Sequence, residues 1–141
     1  QMSQLGSELI LKAIKLIKID NIKYTSQIEK DATYAKKIDK KEAKINWNNK
    51  ACKILAKINA LHLNPGTWFE LNGLRIKILK AIEVKASGSP GEILDNNFTI
   101  ACSENAIQVK VLKKEGKQEM LASEFLKGNI IKIGNKINID A

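Results

Sequence analysis

Apolar and polar positions alternate along this chain with two different periods, and the change of period divides it. From Ser3 to Ile17, Leu5, Leu9, Ile10, Ala13, Ile14 and Ile17 fall on one helical face while Lys12, Lys15 and Lys18 lie elsewhere, which predicts an amphipathic helix. From Asp20 to Ala43 the apolar residues Ile22, Tyr24, Ile28, Tyr34 and Ile38 keep no steady period and charges are dense, as in a linker. A second helix is predicted by Ala51, Ile54, Leu55, Ile58 and Leu61, with Asn48 or Asn49 as its N-cap and Pro65-Gly66 ending the region. The chain then turns to strands. Thr67 to Leu71 is followed by Asn72-Gly73, a two-residue hairpin signal, and by Leu74 to Val84, where Leu74, Ile76 and Ile78 alternate with Arg75, Lys77 and Lys80. Ser87 to Gly91 is a loop, and extended structure restarts through Leu94 until Asp95-Asn96-Asn97 turns it.

Phe98 to Cys102 and Ala106 to Leu112 form another predicted hairpin, with Ile107, Val109 and Val111 on one face and Gln108, Lys110 and Leu112 on the other. Lys113 to Lys117 is a basic turn. Ser123 is expected to cap a short helix from Glu124 to Lys127, ended by Gly128, and Ile130 to Ile139 holds a weak final strand. Several short strands, one inserted helix and Gly or Asn turns predict a mainly β fold, a small OB-like barrel preceded by an isolated amphipathic helix and a linker. The expected domains are residues 1–19, 20–43 and 44–141. Trp47 and Trp68 flank the second helix, and both are expected to pack it against the sheet. Alone in water, the first helix would be marginal. Its apolar face wants a partner, and because Gln1 leads straight into the helical pattern, the expected partner lies upstream in a longer protein.

Charge alters this picture more than composition does. At 44% hydrophobic and 5% aromatic, the chain has enough apolar residues for a core, made mostly of Ile, Leu, Val and Ala. The formal net charge is +9, which attracts phosphate polymers and anionic surfaces. Arg75 is the sole Arg among Lys residues, so overall Lys usage is the competing reading of that charge. Likewise, the linker reads either as a solvated connector or as a mobile basic strap that meets phosphates, with Asp39 and Glu42 partly neutralising it.

No catalytic constellation emerges from the residues. His62 is the one His, at the end of the second helix, with no assignable nucleophile or carboxylate beside it. Cys52 and Cys102 are far apart and form no zinc or redox motif, so both are expected as buried small hydrophobes. Ser87 to Gly91 lacks the Lys-Ser/Thr of a phosphate loop. No metal site, targeting peptide or membrane segment is expected, and the cytoplasm is the default location.

The blocks ATYAKKIDKKEAKINW (Ala32–Trp47), ALHLNPGTWFELNGLRIKILKA (Ala60–Ala81), SPGEIL (Ser89–Leu94), LKKEGKQEM from Leu112 and ASEFLKG (Ala122–Gly128) together resemble the C-terminal portion of the methionyl-tRNA formyltransferase family. Thr33–Trp47 and the spaced Pro65-Gly66, Trp68, Pro90-Gly91 and Gly116-Lys117 are the most specific pieces, and the likeness covers essentially the whole chain. Two departures stand out. The family's Asn-Pro-Trp-Pro-Gly is His62-Leu63-Asn64-Pro65-Gly66 here, and the Asp before the first Trp is Asn46.

The resemblance implies that residues Gln1 to Lys18 are similar to the last helix of an N-terminal catalytic domain. That domain would transfer a formyl group from 10-formyltetrahydrofolate, the co-substrate of the intact enzyme, to the amino group of initiator methionyl-tRNA. The family's catalytic Asn, His and Asp match nothing in this chain, so no catalytic residue and no bound cofactor are expected in it. The partners implied are initiator methionyl-tRNA and the N-terminal domain, in a monomer with no membrane association. Lys36, Lys37, Lys40, Lys41 and Lys44 of the linker, with Arg75, Lys77, Lys113, Lys114 and Lys117 of the barrel, are the expected phosphate contacts, giving affinity rather than sequence discrimination. A structural C-terminal domain of another formyltetrahydrofolate-using formyltransferase or hydrolase is the alternative. A free-standing single-strand RNA module comes third, because Phe69, Phe98 and Phe125 read as core rather than as a stacking platform.

Overall fold

The computed structural model describes residues 1–62, 64–129 and 131–137. They fall into two compact units, Gln1–Lys36 and Lys37–Ala141. In the first, the predicted helix forms as α1, Met2–Lys18, with Lys15 and Lys18 complementing the negative end of its dipole. None of its residues is buried, and Leu5, Leu9, Ile10, Ile14 and Ile17 are all exposed. One 3-10 turn, Glu29–Asp31, interrupts the extended chain that follows.

The second unit is mainly β, an antiparallel sheet curled into a half-barrel. Strand β1 is Thr67–Leu71 and β2 is Leu74–Val84, the predicted bounds. Between them Asn72 and Gly73 take φ of 51° and 75°, the positive values that a tight hairpin turn demands. Strand β3 is Thr99–Ala101, β4 is Ala106–Lys114 and β5 is Glu119–Leu121, and the order is β1-β2-β4-β3. Strand β4 is the spine: β2 pairs with it from Ala106 to Lys114, while β3 and β5 pair with separate stretches of it.

The β2–β4 pairing is irregular, which corrects the predicted faces. Ile78 faces Leu112, Lys80 faces Val111 and Ala81 faces Val109, so Leu79 and Lys110 have no partner across the ladder. Extra residues of this kind bend and twist a strand. They also slip the alternation, so that Leu79 and Ala81 are buried after Ile76 and Ile78, and Leu112 replaces Val111 in the core. Leu74, expected inside, is exposed beside the turn.

Helix α2, Ala51–Ala60, packs Ala51, Ile54 and Ile58 into the core. Asn48 and Asn49 do not cap it. The cap position is Lys50, with no side-chain cap, and the Ala51 N–H donates instead to the Glu104 carbonyl at 3.0 Å. The loop between β3 and β4 thus satisfies the helix start. At the other end the Thr67 hydroxyl donates to the Lys57 carbonyl (3.1 Å), tying the helix to β1. Helix α3 is Ala122–Lys127, and its cap position is Leu121 rather than Ser123; the Glu124 carboxylate accepts the Leu121 N–H at 3.3 Å. Of the predicted last strand, Lys136 makes one bridge to Glu92 and Ile137 is buried, while Ile130, Asn138 and Ile139 lie outside the described residues.

Four aromatic rings run through the core, Trp47–Phe69–Phe98–Phe125, with successive centroids 5.7, 6.2 and 5.6 Å apart. All three Phe residues are buried, as expected. Only Trp47 meets the expectation made for the two tryptophans, because Trp68 is half-buried on the other side of the sheet. Cys102 is buried, and burial pushes its thiol up to about 12. Cys52 is exposed: one step round the helix from Ala51 carries it past the edge of the apolar face.

Candidate nucleic-acid interface

Strict alternation in β1 decides which side chains face outward. Thr67, Phe69 and Leu71 are buried, so Trp68 and Glu70 point the other way. Register carries this outer face across the sheet. Trp68 stands opposite Lys77, Lys77 opposite Lys113, and Glu70 opposite Arg75. Lys77 and Lys113 are like charges set directly against each other, an unfavourable pair unless an anion lies between them.

Beside this row lies a shallow cavity of about 260 Å³ lined by Lys40, Arg75, Lys77, Lys113, Lys114, Glu115 and Gly116. Five of the ten expected phosphate contacts line it, against one carboxylate, Glu115. Lys40 comes from the turn that precedes α2, Arg75 and Lys77 from β2, and Lys113 and Lys114 from the end of β4. Gly116, with φ of 71°, closes the tight basic turn without filling it.

Several of these cations are held rather than free-swinging. The Lys77 ammonium donates to the Pro65 carbonyl at 2.7 Å. Its stem passes so near Gly66 that a Cβ there would sit 3.0 Å from Lys77 Cδ, and Gly66 also has φ of 80°, so a side chain at that position is disfavoured twice over. The Arg75 guanidinium lies 4.0 Å from the centre of the Trp68 ring, a stacked cation–π contact. Trp68 Nε1–H donates to the Lys40 carbonyl at 3.1 Å. The Lys114 ammonium lies over the Phe125 ring (5.3 Å) and donates to Asn129 Oδ1 at 3.4 Å.

The remaining expected contacts do not line the cavity. Lys44 sits 3.7 Å from the Glu70 carboxylate and 5.4 Å from the Trp68 ring. Lys41 is exposed in the turn where Asp39 Oδ1 accepts its N–H, and Lys117 is exposed in the turn after β4. Lys37 is exposed at the start of the second unit; Lys36 is exposed and ends the first. Trp68 is what the sequence reading missed at this site. The signal was present in the TWFEL alternation, which places it on the face opposite Phe69.

His62 is exposed, and its Nδ1–H donates to the Leu79 carbonyl at 3.1 Å, a structural tie. Among the described residues no group of three or more His, Cys, Asp or Glu is arranged to hold a metal ion, and no helix is long and apolar enough to cross a membrane.

The formyl transferase, C-terminal domain family matches residues 37–129, which contain every residue of the cavity. The chain belongs to this family. Among its relatives, the methionyl-tRNA formyltransferase of Bradyrhizobium diazoefficiens is 42% identical over 140 residues, covering 96% of this chain and 45% of the relative. That of Rhodopseudomonas palustris (strain BisB5) is 41% identical over 137 residues, covering 94% of this chain and 44% of the relative. The chain therefore spans less than half the length of these curated relatives. Among solved structures, a variant of HypX from Aquifex aeolicus superposes with a TM-score of 0.62 at 21% identity, over 86% of this chain and 23% of that one. HypX in complex with tetrahydrofolic acid gives 0.61 at 19% identity, over 84% and 22%. The HypX likenesses speak to the fold alone.

Proposed function

We propose that this domain is an electrostatic grip for initiator methionyl-tRNA, working beside an N-terminal catalytic domain that formylates the methionyl amino group with 10-formyltetrahydrofolate. The observation that supports it best is that Lys40, Arg75, Lys77, Lys113 and Lys114 line one cavity, with Arg75, Lys77 and Lys113 reaching it from the outer sheet face. Scattered Lys, the signature of mere residue usage, would not favour that arrangement. Each cation that meets a phosphate releases condensed counterions, so affinity comes without base discrimination. Lys36, Lys37, Lys41, Lys44 and Lys117 are the further phosphate contacts in this reading. In this reading α1 is the last helix of the catalytic domain, residues 20–43 are the linker, and the enzyme is a cytoplasmic monomer.

The test is binding of the 141-residue chain to initiator methionyl-tRNA across a salt series. Each phosphate contact contributes roughly −0.7 to −0.9 to the slope of log K against log salt. The pair Lys77→Glu with Lys113→Glu should weaken binding at least about tenfold at low salt and flatten the slope by about two contacts' worth. Parent-like affinity in that variant would sink the reading. The domain would then be a structural support for another formyltetrahydrofolate-using formyltransferase or hydrolase.

A further inference from the structure

One side chain joins two of the three chain segments that supply the cavity's cations. Lys40 belongs to the turn before the barrel, whereas Arg75 belongs to β2. Trp68 touches both: its Nε1–H holds the Lys40 carbonyl at 3.1 Å, and its ring faces the Arg75 guanidinium at 4.0 Å. Its main chain does the same work. Trp68 N–H donates to the Ala43 carbonyl (3.1 Å), the Trp68 carbonyl accepts the Ile45 N–H (2.8 Å), and Lys44 and Trp68 make a parallel bridge. Around Lys40 the turn is otherwise held by short-range bonds, Lys41 N–H to Asp39 Oδ1 (2.9 Å) and Glu42 N–H to the Asp39 carbonyl (3.1 Å), while its far end is fixed separately by the Lys57 ammonium on the Lys44 carbonyl (2.8 Å) and by the Lys44–Glu70 pair (3.7 Å). Without the indole, the backbone of Lys40 loses its side-chain tether to the sheet and Arg75 loses its stacking surface.

We infer that Trp68 is a positioning residue for the polyanion site: its indole fixes the Lys40 backbone and the Arg75 guanidinium on either side of one cavity, so it sets affinity for tRNA phosphates through those two cations. This rests on the tRNA reading above and goes beyond it, because an uncharged residue is assigned control of an electrostatic interaction. Flexible surface cations lose conformational freedom when they bind, and a cation already held in place loses less. The role belongs to the indole rather than to any aromatic ring, since Phe can stack on Arg75 but has no N–H for Lys40.

The experiment measures binding of initiator methionyl-tRNA to the 141-residue chain with Trp68→Leu, Trp68→Phe and Arg75→Ala, each over the same salt series. Trp68→Leu should weaken binding about five- to tenfold and flatten the salt slope by about one phosphate contact, although no charge has been removed. Trp68→Phe should fall between Trp68→Leu and the parent. In the Arg75→Ala background, Trp68→Leu should cost distinctly less than it does alone, since one of the two groups it positions is already gone. Weakening by Trp68→Leu with an unchanged slope would overturn the inference, because the indole would then contact the tRNA directly, as a base-stacking platform does. Parent-like binding by Trp68→Leu would overturn it too, while weakening by Lys77→Glu with Lys113→Glu would leave the tRNA reading intact. If the parent binds no tRNA at low salt, both fall. Should Trp68→Leu unfold, Trp68→Phe decides: a parent-like affinity and slope overturns the role given to the N–H.

Discussion

Helices α1 and α2 carry the same kind of amphipathic stripe, yet they meet different fates. In α2, Ala51, Ile54 and Ile58 are buried against the sheet; in α1, no residue is buried. Periodicity states what a helix is able to bury, and only a complementary surface turns that capacity into stability. Within this chain the stability of the second unit rests on such a surface, and the first unit has none of its own.

Several measurements can break or sharpen that contrast. Hydrogen exchange should show the largest effect. Amides of Ile107, Val109 and Leu112 in β4 lie in ladders with β2, β3 or β5 and should exchange about a thousandfold or more slowly than those of Ile10 to Ile14 in α1. Equal protection in both would mean that α1 is stabilised by something other than packing. Next comes Ile58→Ala, which empties a fully buried site and should cost about 2–5 kcal/mol in denaturant unfolding.

Asp95 supplies a smaller, pH-dependent effect confined to the second unit. Burial raises its pKa, but its carboxylate accepts the Asn97 N–H (2.8 Å), the Thr99 N–H (3.0 Å) and the Thr99 hydroxyl (2.8 Å), and the net shift is downward. A folded-state pKa below the unfolded value of about 3.9 contributes stability above that pH and loses it as pH falls through the folded value. Asp95→Ala should therefore cost about 1 kcal/mol at neutral pH and flatten the loss of stability below about pH 4. Smallest of all, Leu9→Ala in α1 should change the unfolding of the second unit by less than about 0.5 kcal/mol, and a larger loss would refute the contrast.

What was legible in the sequence follows the same distinction between local and tertiary causes. The bounds of β1 and β2, and the turn at Asn72-Gly73, are dictated by period-two alternation and by a backbone that needs positive φ, both visible in a short window. The burial of Leu112 in place of Val111 was not legible, because the unmatched Leu79 and Lys110 arise from pairing two strands about thirty residues apart. The start of α2 failed for the same reason: its N–H is satisfied by the distant Glu104 carbonyl, not by a neighbouring Asn. At the site, Arg75 and Lys77 could be placed on an outer face from their strand's alternation. The linker lysines obey no period, so that Lys40 and Lys44 reach the sheet depends on tertiary contacts, the Trp68 bond to the Lys40 carbonyl and the pairing of Lys44 with Trp68 and Glu70.

The alternation in β2 also bears on inheritance. Arg75 and Lys77 are interleaved with Ile76 and Ile78, which are fully buried, so one short segment carries two requirements on opposite faces. Exchanging a surface cation for a neutral residue leaves the neighbouring isoleucines in place and costs the fold little. The charge of the outer face can therefore drift while the inner face is kept by selection for stability. A scaffold of this kind can pass from gripping a polyanion to ignoring one by a handful of substitutions, with every strand keeping its register.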